Sequence, residues 1–544
     1  MYQMKLNPSQ LARDLPTSPP PPMEAVPPIP AEFGGAGHLP TPVINDKAAA
    51  VAAADCPRDA RGYKILQGKE RSTVTAFAFS EDTTNDLGRS RATRIRYIEG
   101  LRGILGLQTL LYIFFRIFAP AICDDRDSMG HYPAKYLASS PEWMHVVRKV
   151  LSPLLFDGSL QSAFFIILIG RASMQTYIER RVARGISGPC FRRPFRLAVP
   201  VAITFAVVSA LAATNGFKHA AYIADTLNND LANPPKIWSS ALEYWNSVIF
   251  YFMSPLPFKD SRAVQFIPPA GMTWFVSTLF LLRQTCTDTD CLLAVQIQVA
   301  FKQTYVMVVF AWCIPYVTLR YKMIGLVGMT VLSAWVARWS WYTLTGLTLA
   351  ELSVVYQQLL STSGGRIPLN RRGTVHVRGQ LIGIALVLLG AFFKYFWAAV
   401  LPQVRPREVL FHSSMNAAGL NYDADPYHLA IPRYDDWFVC TGVLLLIEMT
   451  PALQRILSNR VLVHAGKLSF SIALIGGTIM LSAGGPLFYH LTATLGWTDQ
   501  ANITGVMFAA MIPSTLLAAE IYARLVDDTS LWLAKGFFRF SIAE

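Results

Sequence analysis

The stretch from Arg91 to Asp127, RATRIRYIEGLRGILGLQTLLYIFFRIFAPAICDDRD, leaves this chain few ways to fold. Arg91, Arg94, Arg96 and Arg102 lead into an apolar run that ends near Ile122, and Asp124, Asp125 and Asp127 follow it. Such a run, roughly 20 residues long, satisfies its backbone inside a bilayer as a helix. Basic residues before it and acids after it put its start on the cytosolic side. The whole chain carries the same message. Of 544 residues, 52% are hydrophobic and 15% charged, where a soluble protein carries about 25% charged. The mean hydropathy is +0.34. Most of the net charge of +13 sits in short loops between apolar runs, where it sets topology and meets anionic lipid rather than forming a nucleic-acid face. The seven cysteines are scattered, and Cys286 and Cys291 lack a second pair or histidines, so no metal site is expected.

Residues 1–90 are polar, rich in proline from Pro16 to Pro30 and in alanine from Ala48 to Ala54. They read as a disordered cytosolic tail without a secretory signal, so the first membrane helix acts as the targeting signal. Further spans are expected over about Pro153–Gln175, Leu197–Thr214, Met323–Trp341, Thr343–Leu360, Gln380–Leu401, Trp437–Leu453, Leu468–Leu487 and Ile503–Ala523. Between the second and third lies a dense basic loop with Arg180, Arg181, Arg184, Arg192, Arg193 and Arg196. Ala241–Met253 has the pattern of an amphipathic interfacial helix. Met272–Leu282 and Val306–Leu319 are apolar pieces split by a polar one. Counting them as one crossing keeps the basic loops around Arg371 and Arg460 and the C-terminal tail (residues 537–544) inside. The expectation is an all-α bundle of about ten membrane helices with both termini cytosolic.

Soluble catalytic signatures are missing: no GxSxG, no Walker loop, no HExxH and no paired CxxC. Ionisable residues at membrane depth are then the candidates, namely Arg116, Arg171, Arg338, Glu351, Lys394, Glu448 and Glu520, with snorkelling to an interface or mutual pairing as the plainer reading. The six arginines of the basic loop suit a cytosolic polyphosphate, since guanidinium forks match phosphate geometry. Coenzyme A is one such polyanion. Lipid headgroups are the plainer alternative.

Four motifs, in order, resemble the membrane-bound acyltransferase-3 family, particularly its fungal branch. They are Tyr97-Ile-Glu-Gly-Leu-Arg-Gly103, Arg193-Pro-Phe-Arg196, Val463-His-Ala-Gly-Lys-Leu-Ser-Phe-Ser471 and Ala519-Glu-Ile-Tyr-Ala-Arg-Leu-Val-Asp527. The resemblance covers about Tyr97 to Lys535 and implies an acyltransferase-3-like membrane domain over 91–536. It implies transfer of an acyl group, often acetyl, from acyl-CoA to a hydroxyl of a sugar, lipid or secondary metabolite. On that pattern Arg102, Arg193 and Arg196 hold the CoA phosphates, and acyl-CoA is a co-substrate with no further cofactor. Glu99 and Arg102 are candidates for a CoA-facing pair, with capping of the helix and its dipole by Glu99 as the equal alternative. A histidine eleven positions after Arg102 would take the proton from the acceptor alcohol.

The sequence departs from the pattern at the catalytic positions. Ile113 stands at that histidine, Gly476 at a second one, and Leu279 (or Ala300, in another register) at a glutamate. Gln108, Thr109 and Tyr112 offer no base near neutral pH. Loop histidines at 131, 145, 412, 428 and 490 are the remaining possibilities. Residues 281–301 read as an insertion. An inactive relative serving as a scaffold or lipid-handling protein is therefore a second reading. A transporter is a third, although no internal repeat supports it.

Overall fold

The computed structural model describes residues 86–123, 139–180, 184–229, 240–253, 301–310, 319–336, 338–363, 366–368, 376–396 and 432–542, with isolated positions between them. The chain divides into two units, Met1–Ala78 and Phe79–Glu544. The first lies outside the described residues, and all that follows concerns the second. The expected disorder of the tail up to residue 85, the acids Asp124, Asp125 and Asp127, most of the 281–301 segment, Leu279, Ala300, Cys286, Cys291, His131, His412 and His428 also fall outside them.

The described residues are helical apart from one small ribbon. In chain order they form α1 (Asp86–Phe118), α2 (Glu142–Leu151), α3 (Gly158–Ser173), α4 (Arg184–Ala213), α5 (Ala241–Met253), a helix over 301–310, α6 (Leu319–Trp335) and α7 (Ser340–Ser363). Then come the antiparallel pair β1 (Arg366–Pro368) and β2 (His376–Arg378), α8 (Gly379–Tyr395), α9 (Tyr434–Met449), α10 (Pro451–Leu457), α11 (Arg460–Ser482), α12 (Gln500–Tyr522) and α13 (Asp528–Ile542).

Among the described residues, five helical stretches are long and apolar enough to cross a membrane: Arg96–Phe118, Glu142–Ser173, Cys190–Ala213, Arg460–Thr494 and Gln500–Phe538. The pair α9 and α10, bent by 101° at Thr450, is either a sixth, broken span or a re-entrant loop. Within the other expected spans α6, α7 and α8 are helical, while Met272–Leu282, residues 311–316 and residues 397–401 lie outside the described residues. α6 and α8 are apolar with 17 described residues each, against the roughly 20 of a full crossing. α7 has 24 residues but carries repeated Thr, Ser and Gln together with Glu351.

Several boundaries differ from expectation. The helix begins at Asp86, inside the expected tail, and α13 runs through Ile542, into the expected C-terminal tail. α1 stops at Phe118 rather than Ile122 because Pro120 has no N–H and disfavours helical geometry in the residue before it. A short turn, Pro120–Cys123, follows. The second span starts earlier, at Glu142, and is interrupted around Pro153. Asp157 restarts it as an N-cap, accepting from the Ser159 amide at 2.8 Å. The supposed basic loop is helical from Arg184 onward, so Arg193 and Arg196 project from the first half of α4. A regular helix fixes their spacing at nearly one turn.

The core is organised on α1, whose main partner is α11. Glycine makes that contact possible. A Cβ at Gly103 would lie 2.0 Å from the Leu462 carbonyl oxygen, and one at Gly466 would lie 2.0 Å from the Glu99 carbonyl oxygen. Without side chains the two backbones meet directly, the small-residue packing that drives helix association in lipid. Gly170 and Gly346 do the same where α3 crosses α7.

Candidate functional site

Tyr97 to Gly103 makes two turns of α1, with Gly103 against α11, Gly100 against α10 at Leu457, and Tyr97 bonded to Glu448. Glu99 and Arg102, one turn apart, pair at 3.2 Å and are both partly exposed. From α4, the half-buried Arg193 donates hydrogen bonds to Ser173 Oγ, the last residue of α3, and to Thr304 Oγ1 in the 301–310 helix. Arg196, one turn on, is exposed. Among the described residues neither Arg193 nor Arg196 forms an ion pair. Their charges nonetheless act on each other and on Arg102, and Glu99 and Asp527 add opposing fields at Arg196. Asp527 accepts a 2.5 Å hydrogen bond from the buried Ser471 hydroxyl. α4 is held against α13 by Arg192 stacked 4.2 Å over the Phe538 ring and by the Phe195 and Phe537 rings 4.4 Å apart.

Three of the motifs are linked by charge here: Arg102 acts on Arg193 and Arg196, and Glu99 and Asp527 act on Arg196, while Ser471 of the remaining motif holds Asp527. Asp528 adds a further carboxylate that acts on Asp527. Guanidinium groups near one another repel, and an entering anion relieves that repulsion.

The positions where the family pattern has histidines also come together. Ile113 is fully buried, and a Cβ built on Gly476 would lie 3.4 Å from Ile113 Cδ1 and 3.7 Å from Thr515 Cγ2. Neither brings an ionisable group. Eleven helical residues separate Arg102 from Ile113, an axial rise of about 16 Å. The nearby polar groups are occupied or apolar in setting: Thr109 donates to the Leu105 carbonyl at 2.9 Å, and Tyr112 is buried with its ring against Gly158. The spacing at Gly476 is ordinary van der Waals contact, so Gly476→Ala is expected to keep the folded protein within about 0.5 kcal/mol of the parent, read by thermal unfolding in detergent. A shift of several kcal/mol would mean that the helices are closer there than described.

Comparison with protein-family models, with curated proteins and with solved structures returned no match. The likeness to the acyltransferase-3 family therefore rests on the four motifs.

Most ionisable residues singled out at membrane depth are paired. Arg171 meets Glu448 at 2.8 Å and also bonds Gln175 and Ser353, while Tyr97 donates to Glu448 at 2.9 Å. Glu351 pairs with Lys322 at 2.6 Å. Lys394 lies 2.5 Å from Asp157, 2.6 Å from Asp436 and 3.8 Å from Asp435. Glu520 takes Arg524 at 2.6 Å and His464 at 3.1 Å. Arg116 donates to the Tyr136 hydroxyl at 3.4 Å, and Arg338 is exposed. Of the loop histidines, His145 is half-buried and His490 exposed. Sequence reasoning passed over Ser173, Thr304, Ser471 and Asp527, and over His464, a histidine with a carboxylate partner. For Ser471 and Asp527 the signal was present, since each closes one of the four motifs. Ser173 and Thr304 carried none. Among the described residues no group of His, Cys, Asp or Glu is arranged to hold a metal ion, and Cys123, Cys190 and Cys440 are in no disulfide.

Proposed function

We propose that this chain is an integral-membrane O-acyltransferase that takes acyl-CoA on Arg102, Arg193 and Arg196. It would move the acyl group, acetyl being the simplest case, to a hydroxyl of a sugar, lipid or secondary metabolite. What supports this reading is that Arg102, Arg193 and Arg196, from two motifs about ninety residues apart in sequence, lie within range of one another's charge. On this reading the bundle has about ten spans, the arginine end faces the cytosol, where CoA resides, and both termini lie there. The phosphates sit on the guanidinium groups, and the pantetheine arm runs along α1 toward the level of Ile113. Catalysis is then mainly positioning of thioester and alcohol, with proton removal by a group other than residues 113 and 476.

One observation favours a second reading. The apolar contact of Ile113 with Gly476 occupies the place where the family pattern puts its bases. A relative that still binds acyl-CoA but no longer transfers would look like this. Comparing metabolites of cells with and without the gene separates the two. The transferase reading expects a product lacking one acyl group in the deletion. It also expects that product to persist when the gene is returned as Arg193→Ala/Arg196→Ala. An unchanged metabolite profile alongside retained CoA binding selects the inactive relative.

A further inference from the structure

Where α11 begins and α12 ends, the bundle carries an exposed basic patch. The first two turns of α11 expose Arg460, Val461, His464 and Lys467, whereas no residue from Leu468 to Ser482 is exposed. Arg460, His464 and Lys467 recur at steps of four and three residues, so they share one stripe of the helix. On α12 and the turn after it, Leu517, Ile521 and Arg524 form a second exposed stripe at the same steps. Glu520 ties the two helices, its carboxylate lying 3.1 Å from His464 Nε2 and 2.6 Å from Arg524 Nη2. Both partners remain open to the outside, the His464 side chain 59% and that of Arg524 74% exposed.

The charges of the patch do not balance. Arg460 and Lys467 form no ion pair among the described residues, and Arg524 shares its carboxylate with His464. With His464 counted as neutral and the exposed Asp528, one turn past Arg524, counted in, the cations still outnumber the acids. The patch also sits at a defined depth. Arg460 opens the apolar stretch of α11, and about 20 residues of α12 from Gln500 fill a hydrocarbon crossing, which brings the chain out near Glu520. Toward the middle of the bundle the surface beside the cations turns apolar, with Leu517 64% and Ile521 51% exposed. A small anion uses only the cations. A membrane lipid uses both, its phosphate on the charges and its chains along the apolar stripe.

We propose that this patch binds an anionic phospholipid, with the headgroup phosphate on Arg460, Lys467 and Arg524 and the acyl chains along Leu517 and Ile521. The lipid is separate from acyl-CoA. The α11 residues that meet α1 are Leu462, Gly466 and Ser469, and His464 lies two residues from each of the first two, on the opposite side of the helix. The proposal therefore stands apart from the reading of Arg102, Arg193 and Arg196.

The test is binding to the full chain in a mild non-ionic detergent, read by native mass spectrometry, with dioctanoyl phosphatidylglycerol, dioctanoyl phosphatidylcholine and glycerol phosphate as probes. Phosphatidylglycerol is expected to saturate and to bind about tenfold or more tightly than phosphatidylcholine. Glycerol phosphate, which has no acyl chains, is not expected to displace it. Arg460→Gln/Lys467→Gln is expected to weaken phosphatidylglycerol by about twentyfold, close to fivefold for each cation, and to leave phosphatidylcholine as it was. Glu520→Gln, which releases Arg524 and His464 from their carboxylate, is expected to tighten phosphatidylglycerol by about fivefold. Lys535→Gln, an exposed cation on α13, and Arg193→Ala/Arg196→Ala are expected to change nothing. Equal affinity for the two lipids, full affinity in Arg460→Gln/Lys467→Gln, or no gain in Glu520→Gln overturns the proposal. So does displacement by glycerol phosphate, which would mark a phosphate site without a lipid. A loss confined to Arg193→Ala/Arg196→Ala overturns it as well, by placing the lipid on the arginines read as the CoA site.

Discussion

A chain carrying Gly103→Leu is expected to fail to accumulate as a folded membrane protein. The α1–α11 contact is backbone on backbone at this point. A Cβ at Gly103 would meet the Leu462 carbonyl oxygen at 2.0 Å and the Gly466 amide nitrogen at 2.9 Å, and a leucine adds three more carbons. No rotamer relieves an overlap that begins at Cβ, so α1 and α11 must separate by several ångströms. Overpacking in a closed core costs roughly 1–3 kcal/mol when side chains can yield, and backbone cannot, so the cost here exceeds that range. Separation would also pull Glu99 and Arg102 out of register with Ser471. Detergent-extracted protein would show this as loss of the monodisperse peak in gel filtration, next to a Gly476→Ala control that elutes normally. Normal elution of Gly103→Leu would refute the close crossing.

Lys394→Met is expected to destabilise the fold by about 3–5 kcal/mol, the usual cost of removing one partner from a buried ion cluster. Lys394 pairs with Asp157, Asp435 and Asp436, and all four side chains are at most 2% exposed. It ties the last turn of α8 to the first turn of α9 and to the cap of α3, so its loss leaves three carboxylates crowded in a dry site. Methionine keeps the length of the stem, which separates the charge effect from packing. Adding Asp436→Asn to the Lys394→Met chain should recover part of the loss, because it removes one of the stranded charges. Thermal unfolding in a mild detergent gives the readout. An unchanged melting temperature for Lys394→Met would mean that the cluster is hydrated and contributes little.

These two effects show what was legible beforehand. The helices were readable because apolar runs and charge-rich ends are local properties, and the interfacial candidate Ala241–Met253 appears as a helix with the same limits. The Lys394 cluster was only half readable. Lys394 was conspicuous in an apolar segment, but Asp435 and Asp436 lie about forty residues away and Asp157 more than two hundred, and no local pattern announces such a meeting. Arg193 and Arg196 were placed in a loop because a dense run of arginines with prolines looks irregular, yet the prolines at 194 and 200 are accommodated in α4. The site itself was visible as motifs without a geometry. Sequence order cannot say that Ile113 and Gly476 approach each other, nor that Ser471 holds Asp527, since both depend on how helices distant in sequence cross.

The central claim is that the arginine end of the bundle seats a phosphorylated thioester. Its most direct test is a CoA titration of the purified full chain compared with Arg102→Ala, Arg193→Ala and Arg196→Ala variants at matched ionic strength. The account expects saturable binding to the parent, weakened at least tenfold by Arg196→Ala and falling steeply with added salt, as charge-assisted phosphate contacts do. Equal CoA affinity in the parent and all three variants, or no saturable binding to the parent, would contradict it.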